Sequence, residues 1–304
     1  MNNLVVADEV ADALHDKRPV VALESTIFSN LGLPSPANAD ALDRCLAAIR
    51  NNGGVPAVTA VLDGVPRLGI TPDEHERILG NGRKAAARDL SVAIGQHWSF
   101  GATTVSAALS LASAGGVQVF ATGGIGGVHR DSASTGDISA DLGAIATKPL
   151  VTVCAGAKVF LDLPATLEHL ETLGVPVLGW RTNEFPAFTT PTSGLPIHTR
   201  VEDASEVARI VRASAQLGLA TGTLVTVPIK AEDGLSQSEI DQALQAALDA
   251  VTEAGIVGPA VTPFVLEHIA ATTEGRSVPA NLALAEQNAM VATEIASALL
   301  DLDE

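Results

Sequence analysis

Six short apolar runs rich in valine, leucine and alanine recur along the chain, at positions 20–23, 55–62, 117–121, 150–154, 175–178 and 224–227. Runs this short with no polar alternation read as strands buried on both faces of a sheet. Between them lie segments with helical spacing. Positions 37–50 form an amphipathic stretch that stops at Asn51-Asn-Gly-Gly54. Thr71-Pro-Asp-Glu74 and Ser236-Gln-Ser-Glu239 each place a hydroxyl three residues before an acid, the arrangement of a capping box. This alternation predicts an α/β fold with a mainly parallel central sheet covered on both faces by helices. No Pro- or Ser-rich linker, repeat or low-complexity tract divides residues 1–304, so one domain is expected. Positions 181–203, with Pro186, Pro191, Gly194 and Pro196, read as a long loop, which in a compact domain is usually functional. Positions 98–128 carry no charged residue, yet Gly115-Gly116 splits them into a helix-like 103–114 and a strand-like 117–121. A buried α/β unit is therefore expected there, and not a membrane span.

The 304 residues are 47% hydrophobic and carry a formal net charge of -17. That excess of acid works against polymeric nucleic acid, whose binding depends on clustered Lys and Arg. A small anionic metabolite stays open, because a pocket of backbone amides and a few cations overcomes a global field locally. Cys45 and Cys154 are the only cysteines, both in apolar surroundings that suit reduced, packed thiols. With no basic segment leading into an apolar one near Met1, no secretion signal is expected and a cytoplasmic setting fits.

Lys158 closes Val151-Thr-Val-Cys-Ala-Gly-Ala-Lys158. The small residues let the backbone turn from a strand into a helix, which would leave the amine at the carboxyl edge of a sheet, where open α/β sheets place ligands. Partial burial there disfavours an ammonium and leaves an amine able to attack a carbonyl carbon. A surface lysine opening a helix fits the same segment. Glu24 ends the run at 20–23 and precedes Ser25-Thr26, a position for a general acid against an apolar wall or, equally, for a turn cap. Thr122-Gly-Gly-Ile-Gly-Gly127 follows a strand and suits a phosphate nest or a tight turn; its spacing fits neither a dinucleotide fingerprint nor a P-loop. After His129-Arg130 comes Asp137-Ile-Ser-Ala-Asp141, whose two carboxylates converge whether helical or extended and suit magnesium or manganese, or a solvated helix start. Lys84 and Arg88 are read as cations one helical turn apart, able to hold a phosphate or, equally, to serve surface solubility.

The order and wording of these blocks resemble the pseudouridine-5′-phosphate glycosidase family, which includes the indigoidine-synthesis A-type proteins. The resemblance runs through Ala22-Leu-Glu-Ser-Thr26, Gly101-Ala-Thr-Thr-Val105 and Phe120-Ala-Thr-Gly-Gly-Ile-Gly-Gly-Val-His-Arg130. It continues through Asp137-Ile-Ser-Ala-Asp-Leu142, Val153-Cys-Ala-Gly-Ala-Lys158, Phe185-Pro-Ala-Phe188 and Ala280-Asn281, nearly the whole chain. It implies Glu24 as proton donor and Lys158 as the nucleophile that forms an imine with the sugar. It implies Asp137 as the holder of one divalent metal, typically manganese, largely through waters. Lys84, Val105, Ser139, Ala140 and Asp141 match substrate-contact positions, with His129 and Asn281 as further pocket members; Thr122 is added from the phosphate-nest reading. A three-layer α/β/α fold and a homotrimer are also implied. The chain departs from the family pattern at Asn30-Leu31-Gly32, Asp131, Gly136 and Gln287, which touches base recognition and loop packing and leaves the presumed catalytic groups intact.

The implied reaction accounts for the residue set. Pseudouridine joins ribose to uracil through carbon, so no glycosidic heteroatom is available to protonate and a paired-carboxylate route is poorly matched. An amine that adds to the sugar supplies the missing electron sink. Two other readings share these residues: an imine-forming aldolase or lyase acting on a different sugar phosphate, and a sugar-phosphate-binding protein without turnover.

Overall fold

The protein is described by a computed structural model covering residues 3–256 and 261–302. Its strands are β1 (Val5–Val6), β2 (Val20–Leu23), β3 (Val55–Leu62), β4 (Val65–Leu68), β5 (Arg83–Ala85), β6 (Phe100–Thr103), β7 (Val119–Ala121), β8 (Val151–Cys154), β9 (Val177–Trp180), β10 (Thr199–Val201) and β11 (Thr223–Thr226). They join in one sheet whose main path runs β1-β4-β3-β2-β7-β8-β11-β9-β10. From β3 to β10 every pairing is parallel. The second half of β3 is flanked by β4 and β6, both antiparallel to it, and β1 and β5 continue outward in parallel with these two.

The apolar runs become strands for the reason their composition suggests. Every residue of β2, β3, β7, β8 and β11 is buried, as a sheet covered on both faces requires. Alternate side chains feed two cores. Val21, Leu23, Val119, Val151, Val153 and Val225 meet the helices Ala37–Asn51, Ala204–Gln216 and Ser277–Asp301 on one face. Val20, Ala22, Phe120, Cys154 and Leu224 meet Asp8–His15, Val105–Ala114, Ala140–Thr147 and Gln237–Ala254 on the other. Three layers result, as expected. Cys45 and Cys154 lie in these cores as free thiols, and burial pushes both up to about 12.

The structure also holds strands that the apolar pattern does not disclose. Asp63 and Gly64, at φ 51° and 75°, turn β3 into β4 in the manner of a type I′ hairpin, whose residue signature is Asp-Gly. Within the uncharged stretch at 98–128, β6 precedes the helix Val105–Ala114, so the segment is strand, helix, strand. Among the described residues no helix is long and apolar enough to cross a membrane. The long loop at 181–203 ends in β10. Of the two capping boxes, the one at Ser236 opens the helix Gln237–Ala254, while that at Thr71 opens only a short turn, Pro72–Glu74, running into His75–Ile78.

Candidate active site

Leu23, Ala121 and Val153 stand side by side at the ends of β2, β7 and β8. Glu24, Thr122 and the segment leading to Lys158 therefore leave the sheet together at its carboxyl edge. Glu24 is only 6% exposed. Ile27, Phe28, Cys45, Ala121 and Ala285 form an apolar wall around a small cavity beside it. The hydroxyl of Thr122 donates to Glu24 Oε1 at 2.5 Å. Burial pushes the Glu24 carboxyl up to about 7, against the opposing pull of Lys158 and of the Thr122 hydrogen bond. A carboxyl so placed is half protonated near neutral pH, the condition for proton donation.

The chain just past Glu24 is stitched to the reversed part of the sheet. Ser25 N–H donates to Thr103 Oγ1 at 3.1 Å, Thr26 N–H to the Thr103 carbonyl at 3.1 Å, and the Thr103 hydroxyl to the Thr59 carbonyl at 2.8 Å. Thr103 ends β6, whose neighbour β5 carries Lys84. Much of Lys84 is solvent-accessible, yet its ammonium lies in the field of the site. Its pKa is lowered by desolvation and by Lys158, and raised in turn by Asp141, Glu24 and Asp137. Five charged groups thus share one neighbourhood. The expectation that Lys84 and Arg88 lie one helical turn apart is corrected: Lys84 is on a strand, Arg88 is in the turn Ala87–Asp89, and the 81%-exposed Arg88 side chain faces Asp89 at 3.6 Å.

Lys158 is half-buried, its N–H donating to the Ile125 carbonyl at 3.1 Å. The preceding residues do not turn into a helix as expected. Gly156 adopts φ +82°, and a Cβ there would lie 2.0 Å from the Pro186 carbonyl oxygen, so the bend needs glycine and brings the 185–188 segment against the site. The helix begins only at Leu163, capped by Asp162.

The glycine run is a packing device more than an anion nest. None of its glycines has positive φ. A Cβ on Gly124 would meet Phe188 at 2.6 Å, one on Gly126 would meet Ser139 Oγ at 2.3 Å, and one on Gly127 would meet Thr166 Oγ1 at 2.4 Å. Several amides are taken: Thr122 N–H by Val153, Ile125 N–H by Gly156 and Gly126 N–H by Asp141. Thr122, read from the sequence as part of a phosphate nest, instead holds Glu24.

Asp141 is 6% exposed, and its two oxygens accept from Ser106 N–H at 3.0 Å and Gly126 N–H at 2.9 Å. It clamps the start of the helix Val105–Ala114 to the glycine run. The two carboxylates of this segment differ in what holds them: Asp141 is taken by backbone N–H groups, whereas the Asp137 side chain is 41% exposed and lies 3.8 Å from His129 Nδ1. Ser139 caps the helix that begins at Ala140, its hydroxyl accepting from Asp141 N–H at 3.2 Å. Val105 opens its helix with a buried side chain, which leaves its backbone at the positive end of the helix dipole. Asn281 shares a helix face with Ala285 and Asn288, and its Nδ2 donates to the Ser277 carbonyl at 2.9 Å. Asn288, the residue after the departure at Gln287, to which sequence reasoning gives no role, bonds the carbonyls of Thr122 and Gly123. Nothing local to residue 288 announces that contact. Among the departures, Gly136 takes φ +69° after the turn Ser132–Thr135, and Gln287 Nε2 donates to the Pro228 carbonyl at 3.1 Å.

A sheet edge carrying an acid near neutrality, a lysine and a second cation defines a class of protein before it defines a reaction. The chain belongs to the family of indigoidine synthase A like proteins, which it matches over residues 9–298. Among its relatives, the pseudouridine-5′-phosphate glycosidase of Caldanaerobacter subterraneus subsp. tengcongensis is 46% identical over 97% of both chains. That of Roseiflexus sp. is 47% identical, over 98% of this chain and 96% of its own. The prealnumycin C-glycosynthase AlnA, solved in complex with ribulose 5-phosphate, superposes with a TM-score of 0.90 at 36% identity, covering 99% of this chain and 98% of its own. An indigoidine synthase A-like protein from Thermotoga maritima superposes at 0.88 with 32% identity, over 100% of this chain and 98% of its own.

Proposed function

We propose that this chain reversibly cleaves the carbon-carbon glycosidic bond of pseudouridine 5′-phosphate, giving uracil and ribose 5-phosphate. The observation that carries the reading is the buried Glu24, pushed up to about 7, in one electrostatic neighbourhood with Lys158 and Lys84. The names of the relatives supply the substrate class, and that of the structural neighbour AlnA, a C-glycosynthase, points to a C-glycosidic bond in the joining direction.

In the proposed sequence Glu24 gives its proton to the ring oxygen as the C1′–O bond opens, and the Lys158 nitrogen bonds C1′. The nitrogen gives up a proton to solvent, and its lone pair then forms the C=N bond as the C1′–uracil bond breaks. The bonding pair leaves with the base, whose ring carbon takes up a proton. Water hydrolyses the imine, releasing ribose 5-phosphate and the free amine, so the balance is one water consumed per uracil formed. Lys84 holds the phosphate, with the backbone at Val105 and the Ser139-Ala140 turn completing the cradle and His129 and Asn281 at its rim.

A divalent ion belongs to this reading. Among the described residues no cluster of three or more His, Cys, Asp or Glu could hold a metal. One solvent-facing carboxylate, Asp137, fits a hard, mostly hydrated ion such as manganese and not a closed protein cage. Such an ion supplies positive charge that helps hold an anionic sugar phosphate. A homotrimer and a cytoplasmic setting complete the proposal. The test is uracil release from pseudouridine 5′-phosphate by the purified chain. Release supports the reading; imine trapping of other sugar phosphates without uracil release points to an aldolase or lyase, and binding without turnover points to a carrier.

A further inference from the structure

Asn288 lies on the helix Ser277–Asp301, 1% exposed and 166 residues from the loop it touches. Its Nδ2 donates to the Thr122 carbonyl at 2.8 Å and to the Gly123 carbonyl at 3.2 Å. Chemistry fixes this orientation, since the amide turned over would set its oxygen against two carbonyl oxygens. Asn288 Oδ1 is buried and has no hydrogen-bond partner among the described residues. Packing alone does not account for such a residue, because an apolar side chain of similar size fills the space without stranding an oxygen. The amide instead pins the backbone of Thr122, whose N–H is already held by the Val153 carbonyl at 3.0 Å. With its backbone held from both sides, Thr122 has one use left for its hydroxyl, which donates to Glu24 Oε1 at 2.5 Å.

From this line of contacts we infer that Asn288, acting through Thr122, is a positioning residue for the proton donor: it keeps the threonine hydroxyl on Oε1 and leaves Oε2 as the oxygen that carries and delivers the proton. The inference rests on the assignment of Glu24 as proton donor. The groups that face Glu24 are Lys158, Lys84 and Asp141, with the Cys45 thiol in the apolar wall. Asn288 adds no charge to that field, so replacing it with alanine changes geometry and not net charge. The Thr122 hydrogen bond favours the carboxylate, and its loss raises the pH at which Glu24 gives up its proton.

The test is the pH dependence of kcat/KM for uracil release from pseudouridine 5′-phosphate, measured on the full chain for the wild type, E24Q, T122V, T122S, N288A and the double variant T122V/N288A. T122V is expected to move the descending limb to higher pH and to lower the plateau by about one to two powers of ten. T122S, which keeps the hydroxyl, should restore both. N288A should move the limb in the same direction by less, and the double variant should match T122V alone, as for residues acting in one line. If the limb stays in place in T122V or N288A while E24Q is inactive, the inference is overturned and Glu24 stands. A double variant whose losses multiply overturns it as well. An active E24Q removes the acid assignment and the inference together. Should N288A fail to fold by circular dichroism, N288L, which is of similar size and carries no donor, is read in its place, and a wild-type profile there overturns the inference.

Discussion

Glu24 and Lys158 leave the parallel strands β2 and β8 from runs buried at every residue, whereas Lys84 sits on β5, a strand of three residues of which two are exposed. The parallel part of the sheet holds its polar groups by packing on both faces, so a side chain at a strand end has a narrow choice of position. The reversed extension offers a cation on a solvent-facing edge, tied to the rest by the Ser25, Thr59 and Thr103 hydrogen bonds. The contrast separates two kinds of contribution. Groups on the parallel strands are placed for bond making and breaking, and the group on the extension is placed to hold charge. Substitutions in the two parts should therefore fail differently.

The largest expected effect is on the parallel side. Lys158→Ala should reduce uracil release to background in a folded protein, because among the proposed groups no other amine is placed for covalent addition; a folded variant with near wild-type turnover breaks the contrast at once. Glu24→Gln comes next, with a loss of about two to four powers of ten in kcat, the range for a positioned general acid. In the wild type, activity should fall as pH rises through about 7, where Glu24 loses its proton.

The same carboxyl links pH to stability. Folded Glu24 keeps its proton to about 7, while the unfolded chain loses it near 4.5, so its contribution weakens as pH rises between those values. At pH 8 Glu24→Gln should therefore be more stable than the wild type by up to roughly 3 kcal/mol, a gain absent at pH 4, measured by denaturant titration. Equal gains at both pH values would show that the carboxyl is not perturbed as described.

On the extension, Lys84→Ala should lower kcat/KM for pseudouridine 5′-phosphate by about one to two powers of ten, mostly through KM, and leave free pseudouridine nearly unchanged. Equal losses on both substrates would place Lys84 with the chemical groups instead. The smallest effect concerns the clamp between the two parts. Asp141→Asn sets an NH2 against one of two backbone N–H donors and should cost roughly 1 to 3 kcal/mol of stability, read from the thermal midpoint.

The same division governs what the sequence discloses. Strands β2, β3, β8 and β11 stand out because burial on both faces demands an unbroken apolar run, and Glu24 is visible as the polar residue that ends one. β5 has no such signature, since two of its three residues are exposed and its position comes from pairing with β6. β6 is hidden because only Thr104 separates it from the apolar helix Val105–Ala114, with no charged residue, glycine or proline to mark the junction. The Asp63-Gly64 turn was readable from its residue types and marks the start of the reversed extension. Asp137 and Asp141 look alike in sequence and differ in fold, because only Asp141 meets two backbone N–H groups supplied from residues 106 and 126. Thr122 could be placed near the site but not given its partner, and Asn288 could not be placed at all. Both depend on contacts spanning 98 and 166 residues, which no local pattern encodes.

The claim at the centre of this account is a covalent bond between Lys158 and the sugar. The direct measurement is borohydride reduction of the enzyme during turnover of pseudouridine 5′-phosphate, followed by intact-mass and peptide mass spectrometry. The expected result is a chain heavier by one reduced ribose 5-phosphate unit, with the added mass on Lys158 and none on the Lys158→Ala variant. Turnover with no trapped adduct, or an adduct on Lys84, would contradict it.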